Sequence, residues 1–204
     1  MLNPTPSTNG RTVEYRARME RRRIGLINRI AHIPAFPQGI TLEIGSGHGH
    51  FLVAYAQANM DRSCIGVDIV SERVARAIRK RDRAKLPNLQ FIHADARLFL
   101  EVLPADRPLS EIFLLFPDPW PKQRHHKHRI IQPSFLTALA DRAGKGARLF
   151  FRTDFRPYFD DAMATLRQHS RWELREEAWP FEYETVFQQR APDYQSMIAS
   201  VREP

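Results

Sequence analysis

From residue 40 to residue 168 the chain alternates short apolar runs with longer helical patterns, and this alternation constrains the fold more than any other feature. Residues 40–44, 64–69, 89–93, 111–116 and 147–152 read as strands, being apolar runs too short for helices. Between and after them, residues 51–58, 71–86, 98–103, 135–143 and 158–168 read as helices. Ser71 stands where it can cap the second helix, whose Val74, Ala77 and Ile78 share an inner face. Strands separated by helices are joined by crossovers, so the expected fold is α/β, a mostly parallel sheet with helices on both faces. After Trp172 the alternation stops. Residues 172–176 and 197–201 read as two further strands, making a seven-stranded sheet with a long excursion near its end.

In such a sheet, ligands sit beyond the carboxyl ends of the strands. The first strand here runs into Glu43-Ile44-Gly45-Ser46-Gly47-His48-Gly49-His50. Gly45 and Gly47 let the backbone turn and approach a ligand closely. A dinucleotide fingerprint would need glycine at the position of His50, so the spacing favours a ligand with no pyrophosphate to cradle. Glu43 suits a ligand ammonium group, such as that of S-adenosylmethionine. Asp68 ends the second strand, where a carboxylate accepts hydrogen bonds from ribose hydroxyls, and Asp95 ends the third, where one accepts from an adenine amino group. Three acids on consecutive strands point to one nucleoside-type ligand.

The fourth strand runs into Phe116-Pro117-Asp118-Pro119-Trp120-Pro121, where alternating prolines stiffen the backbone and hold Asp118 at a set angle. Lys122, Arg124, Lys127 and Arg129 follow, interleaved with His125, His126 and His128. Cations in a loop beside an active site suit phosphate groups; the bland alternative is a solvated charge run. The histidine spacing is poor for a metal and no cysteine is near, so no metal is expected. The chain carries 31 Lys and Arg against 23 Asp and Glu, a net charge of +8, which fits a polyanionic partner. Residues 1–39 read as a basic arm with a disordered tail over residues 1–10. Arg11, Arg16, Arg18, Arg21, Arg22, Arg23 and Arg29 are opposed in it only by Glu14 and Glu20, and Leu26, Ile27 and Ile30 are suited to dock it on the body at 40–204. The single cysteine, Cys64, excludes an intrachain disulfide and fits a reducing, cytoplasmic setting. No apolar run approaches the ~20 residues that span a bilayer, so no membrane association is expected.

The stretch F-P-D-P-W-P-K-x-R-H-x-K-x-R over residues 116–129 resembles the signature of the tRNA (guanine-N7) methyltransferases, which methylate a guanine in the variable loop of tRNA. Glu43-Ile44-Gly45-x-Gly47-x-Gly49, Asp95-Ala96, Ile130-Ile131-Gln132 before Phe135, and Thr153-Asp154 fall where that family has its motifs, so the resemblance covers residues 40–190. It implies a Rossmann-like class I fold dependent on S-adenosylmethionine, with tRNA as partner, no metal, and a monomeric or homodimeric chain. Glu43, Gly45, Gly47, Asp68, Asp95 and Asp118 would then meet the cofactor, with Asp118 catalytic. Lys122, Asp154, Thr185, Val186, Phe187 and Gln188 would meet substrate, and Arg124, His125, Lys127 and Arg129 the RNA. The chain departs from the family in having Asp68 and Gln188 where glutamates are usual, and in lacking a glycine in Arg190-Ala191-Pro192-Asp193.

Two rival readings remain. A methyltransferase of the same fold acting on another substrate leaves the cationic segment unexplained. A catalytically inactive RNA-binding relative leaves the three acids unexplained and is favoured only by Gln188. Trp120 either stacks on a base or packs locally, while Trp172 and Trp179 read as packing residues. Asp154 is either functional or the cap of the helix that follows it. Arg73, Arg76, Lys80 and Arg83 share one helix face, which reads as solvated.

Overall fold

The computed structural model describes residues 8–33, 37–183 and 193–202, which fall in two compact units, Met1–Ile33 and Pro34–Pro204. The first contains one helix, α1 (Thr8–Ala31). The sequence assigned no helix to this arm and a tail through residue 10, whereas the helix already begins at Thr8. Arginine, glutamate, methionine, leucine and alanine all have high helix propensity, enough to carry the segment across Gly25. Arg16, Arg18, Arg21, Arg22 and Arg29 are exposed along it, and the Arg18 guanidinium lies 5.6 Å from the centre of the Tyr15 ring.

The second unit is built on β1 (Ile40–Ile44), β2 (Ser63–Asp68), β3 (Leu89–His93), β4 (Leu109–Leu115), β5 (Ala143–Thr153), β6 (Trp172–Arg175) and β7 (Gln195–Val201). They form a seven-stranded sheet in the order β3-β2-β1-β4-β5-β7-β6. Six strands run in one direction, and β7 lies antiparallel between β5 and β6. The helices are α2 (His50–Ala58), α3 (Ser71–Ala84), α4 (Ala96–Val102), α5 (Pro133–Ala140) and α6 (Arg156–Gln168). A 3-10 helix, Gln123–His128, follows β4. Every strand and helix expected between residues 40 and 201 is present with ends shifted by a few residues. The largest shift is at Ala143, placed in a helix from sequence and found at the start of β5.

Alternation along the strands divides the core. On one face Phe91, Phe113, Phe150 and Ile198 pack with Phe51, Leu52 and Tyr55 of α2 and Val74 and Ala77 of α3. Phe113 and Phe150 stack with ring centres 4.7 Å apart. On the other face Phe151 meets Tyr158 of α6 edge-on at 5.3 Å. Glu111 of β4 accepts hydrogen bonds from Thr41 of β1 (3.1 Å) and from the Tyr55 hydroxyl, and pairs with Arg62 at 2.7 Å. Burial, then the Glu111 hydrogen bond, pushes the Tyr55 hydroxyl pKa up.

Trp172 is fully buried at the start of β6, and its indole N–H donates to the Leu136 carbonyl of α5 at 2.9 Å. Trp172→Phe should cost about 0.5–1.5 kcal/mol through the lost hydrogen bond, and Trp172→Ala about 3–5 kcal/mol through the cavity it leaves. Denaturant unfolding of the two variants checks this. Equal losses would mean that the indole N–H and the ring volume are not separable contributions.

Candidate active site

The carboxyl ends of β1 to β5 lie along one edge of the sheet. In sheet order the acidic residues there are Asp95 after β3, Asp68 ending β2, Glu43 in β1, Asp118 after β4 and Asp154 after β5. The strand order reverses between β1 and β4, where the helices that follow leave on opposite sides and a crevice opens.

Glycines shape the floor of this edge. Gly45 and Gly47 have φ of 75° and 51°, left-handed values that L side chains rarely adopt. A Cβ on Gly45 would meet nothing within 4 Å, so its side is open to a ligand. The Gly45 and Ser46 amides donate to the Val67 carbonyl at 2.8 and 3.2 Å, and the Gly47 amide donates to an Asp68 carboxylate oxygen at 2.9 Å. Asp68 is therefore a brace for the glycine loop. Its other oxygen accepts from the Val70 amide at 2.8 Å, and each oxygen keeps a lone pair for a further donor. Gly49 caps α2 at φ 72°, and a Cβ there would stand 2.6 Å from Phe91 and 2.8 Å from Ala77. Only glycine allows the loop to lie this close to α3 and β3.

Glu43 is 5% exposed, and one of its carboxylate oxygens is buried without a hydrogen-bond partner. Burial, with the charge of Asp68 adding to it, raises its pKa from 4.5 to about 8. A buried carboxylate with an unused oxygen is a seat for a cationic group. Asp95 is exposed and caps α4, one oxygen accepting from the Arg97 and Leu98 amides at 2.8 and 3.3 Å, which leaves the other oxygen outward. An orphaned buried acid, two open left-handed glycines and two further acids on the neighbouring strands fit the ammonium, ribose and adenine of S-adenosylmethionine.

On the other side of the crevice the turn after β4 is tightly determined. Phe116 and Trp120 both take left-handed backbone conformations, φ 50° and 44°, which cost energy in non-glycine residues. The Phe116 amide donates to the Arg152 carbonyl at 2.8 Å. Arg129, expected on the RNA-facing surface, is instead buried at 2% exposure. Its Nε donates to the Pro119 carbonyl at 2.9 Å, Nη2 reaches the Trp120 carbonyl at 3.5 Å, and Nη1 pairs with Asp161 of α6. With its guanidinium also 4.9 Å from the centre of the Tyr158 ring, Arg129 clamps the strained turn to α6 and is too buried to meet a phosphate. The clamp leaves Asp118 exposed, with no partner among the described residues. Lys122, Arg124 and Lys127 are exposed on and beside the 3-10 helix. His125 and His128 pack on Trp120 with ring centres 5.8 and 5.1 Å away, which accounts for the tryptophan as local packing. His126 faces Asp161 at 3.6 Å. Among the described residues no group of three or more His, Cys, Asp or Glu is placed to hold a metal ion.

Neither the cap that Ser71 could make nor the alternative reading of Asp154 as a cap is realised. Val70 rather than Ser71 caps α3, and Phe155 rather than Asp154 caps α6; the Phe155 amide instead donates to the Thr153 hydroxyl at 3.2 Å. Asp154 is exposed, with no side-chain partner among the described residues. Thr185, Val186, Phe187 and Gln188 lie outside the described residues. Arg152, not singled out from sequence, is 5% exposed at the end of β5. It makes a double hydrogen bond to Glu182 (3.0 and 2.8 Å), donates to Ser196 and stacks 3.7 Å from the Trp179 ring centre. An arginine closing the apolar run from Leu149 to Phe151 was the available signal for it.

The family described as "Putative methyltransferase" matches residues 37–195. The chain belongs to this family. Among curated proteins it is 36% identical over 134 residues to the tRNA (guanine-N(7)-)-methyltransferase of Streptomyces coelicolor, covering 66% of this chain and 49% of that one. It is 39% identical over 132 residues to the protein of the same description from Hyphomonas neptunium, covering 65% and 60%. The chain thus spans about half to three-fifths of the length of these relatives. Among solved structures, the aminoglycoside resistance methyltransferase NpmB1 superposes with a TM-score of 0.57 at 17% identity, covering 88% of this chain and 93% of that one. NSun6 from Pyrococcus horikoshii superposes at 0.59 and 16% identity, covering 87% and 50%. These structures share the fold, that of the class I methyltransferases.

Two outcomes follow from the geometry. Glu43 stays protonated in the free native chain up to about pH 8 and in the unfolded chain only up to 4.5. Its contribution to stability is therefore full below pH 4.5 and is lost as pH rises through about 8. An ammonium group seated beside it favours the charged form. Calorimetry of S-adenosylhomocysteine binding at about pH 7, in buffers of different ionisation enthalpy, should show proton release by wild type and none by Glu43→Gln. Equal release by both would seat the ammonium elsewhere. For the clamp, Arg129→Ala should lower stability by about 1.5–3 kcal/mol, and Arg124→Ala by less than about 0.5 kcal/mol. Thermal unfolding measures both, and a neutral Arg129→Ala would remove the clamp.

Proposed function

We propose that this chain transfers a methyl group from S-adenosylmethionine to N7 of a guanine in tRNA, within the variable loop. The observation that carries this reading is the placing of exposed Asp118. It stands on a strained, clamped turn between the acid-lined glycine edge and the exposed cations Lys122, Arg124 and Lys127. The curated relatives of the same description add support over the two-thirds of the chain they match.

The cofactor supplies an electrophilic methyl group on a sulfonium. Guanine N7 carries an unprotonated lone pair at neutral pH, so this chain needs no general base and has to provide position and charge. Glu43, Asp68 and Asp95 hold the three parts of the cofactor. Asp118, or Asp154 beside it after β5, accepts hydrogen bonds from the guanine N1–H and amino group, which orients N7 and stabilises the purine as it becomes cationic. Lys122, Arg124, His125 and Lys127 meet the RNA, with His125 held against Trp120, while Arg129 sets the turn that carries Asp118. The guanine leaves its stack to reach this edge. The chain acts as an enzyme with tRNA as its partner and no membrane or metal requirement.

The test is incubation with unmodified total tRNA and labelled S-adenosylmethionine, followed by nucleoside analysis. N7-methylguanosine is the expected product, and label in another nucleoside or in none would overturn the reading. In the same assay Asp118→Ala should nearly abolish transfer while the unfolding profile is unchanged. Activity within about threefold of wild type, ~0.7 kcal/mol, would remove Asp118 from the reaction.

A further inference from the structure

The cationic face of α3, which reads from sequence as merely solvated, is built against the cofactor edge. Ala77 of α3 lies so near the loop that a Cβ on Gly49 would stand 2.8 Å from it. One turn further, the Lys80 ammonium donates to the His48 carbonyl at 2.9 Å and contacts the His50 imidazole at 2.6 Å. The two imidazoles stand edge to face with ring centres 6.3 Å apart. Lys80 is thus engaged in fixing the loop. Arg73 and Arg76, on the same helix face, are exposed, and neither has a carboxylate partner among the described residues. Arg81, on another side of α3, pairs with Asp82 at 2.6 Å and donates to Gln90. Glu72, next to Arg73 and one helical turn from Arg76, is exposed and is bonded to neither among the described residues, and Asp68 is bound to the Gly47 and Val70 amides. Burial and then Arg76, Lys80 and Arg73 lower the pKa of His48, outweighing the opposing charge of Asp68.

We propose that Arg73 and Arg76, set on the rim of the loop by Lys80, form a second phosphate grip for tRNA on the cofactor side of the site. The sheet order places α3 beside β2 and the segment after β4 on the other side of β1. The two cation sets therefore flank the crevice, and a polyanion whose base enters at Asp118 is held on both sides of it. Guanidinium groups suit this task because their planar fork of donors matches phosphate oxygens. The inference rests on the proposed tRNA substrate.

The test uses the full chain with Arg73→Ala and Arg76→Ala combined. Binding of unmodified tRNA is measured over a series of KCl concentrations, and binding of S-adenosylhomocysteine by calorimetry. Removing one cation from a phosphate lowers the slope of log affinity against log salt by about 0.7–0.9, so the double variant should lose roughly 1.4–1.8 units of slope. Cofactor affinity should be unchanged, and Arg73→Lys with Arg76→Lys should restore most of the slope. An unchanged slope in a variant that unfolds like wild type would overturn the grip alone. Loss of cofactor affinity with tRNA binding intact would overturn it too, assigning the arginines to the cofactor. Wild-type chain that binds no tRNA would overturn this inference and the proposed function together.

Discussion

The pairing of β1 with β4, Ile44 against Leu114, is the constraint on which the site depends. It is a parallel pairing between segments far apart in the chain, and it sets the point at which the strand order reverses. On one side of that line lie the glycine loop, Asp68 and Asp95, and on the other Asp118 and Asp154. A one-residue slip would turn Phe113 away from the stack with Phe150 and carry Glu43 out of its buried position. The same hydrogen bonds that hold the sheet together therefore bring the acidic strand ends and a cationic segment to a common edge.

The order and kind of the elements from residue 40 onward were legible because period and turn chemistry are local properties. The run Ile40 to Ile44, closed by Gly45, has one physical reading, and so has the apolar stretch ending at Asp68. The acids ending the strands were legible for the same reason, since being last in a strand places a residue at the edge whatever the tertiary detail. Arg129 was misread because its burial depends on Asp161 and Tyr158, some 30 residues on, and a cation among cations looks solvated until α6 arrives. Arg152 was missed for a like reason, its partners Glu182 and Ser196 being remote in sequence. The caps went astray where neighbouring groups outcompeted the expected side chains. The Arg73 and Val74 amides that Ser71 would cap bond the Val70 carbonyl instead, and Pro157 offers Asp154 no amide at the third helical position. The helix in the arm was not legible because a run of like charges fits a solvated coil as well as a helix, and helix propensity is only a weak prior.

The arginines of this basic chain divide by partner rather than by position in the sequence. Arg129 and Arg152 are buried, lie over aromatic rings and each make three hydrogen bonds, so they act as struts for the turn after β4 and for the end of β5. Arg73, Arg76 and Arg124 are exposed. A net charge summed over the chain mixes these two kinds, and only the second contributes a field that a polyanion can feel at close range.

The groups that Glu43, Asp68 and Asp95 hold on the proposed reading are the ammonium, ribose and adenine, and none of them is altered when a methyl group leaves the sulfur. Contacts of this sort hold reactant and product alike, and lend nothing to the chemical step itself. Spent cofactor must then compete with fresh cofactor for the same seat. The fraction of chains ready to react follows the ratio of the two in the surroundings, and the buried acid that makes the seat firm also makes it slow to tell them apart.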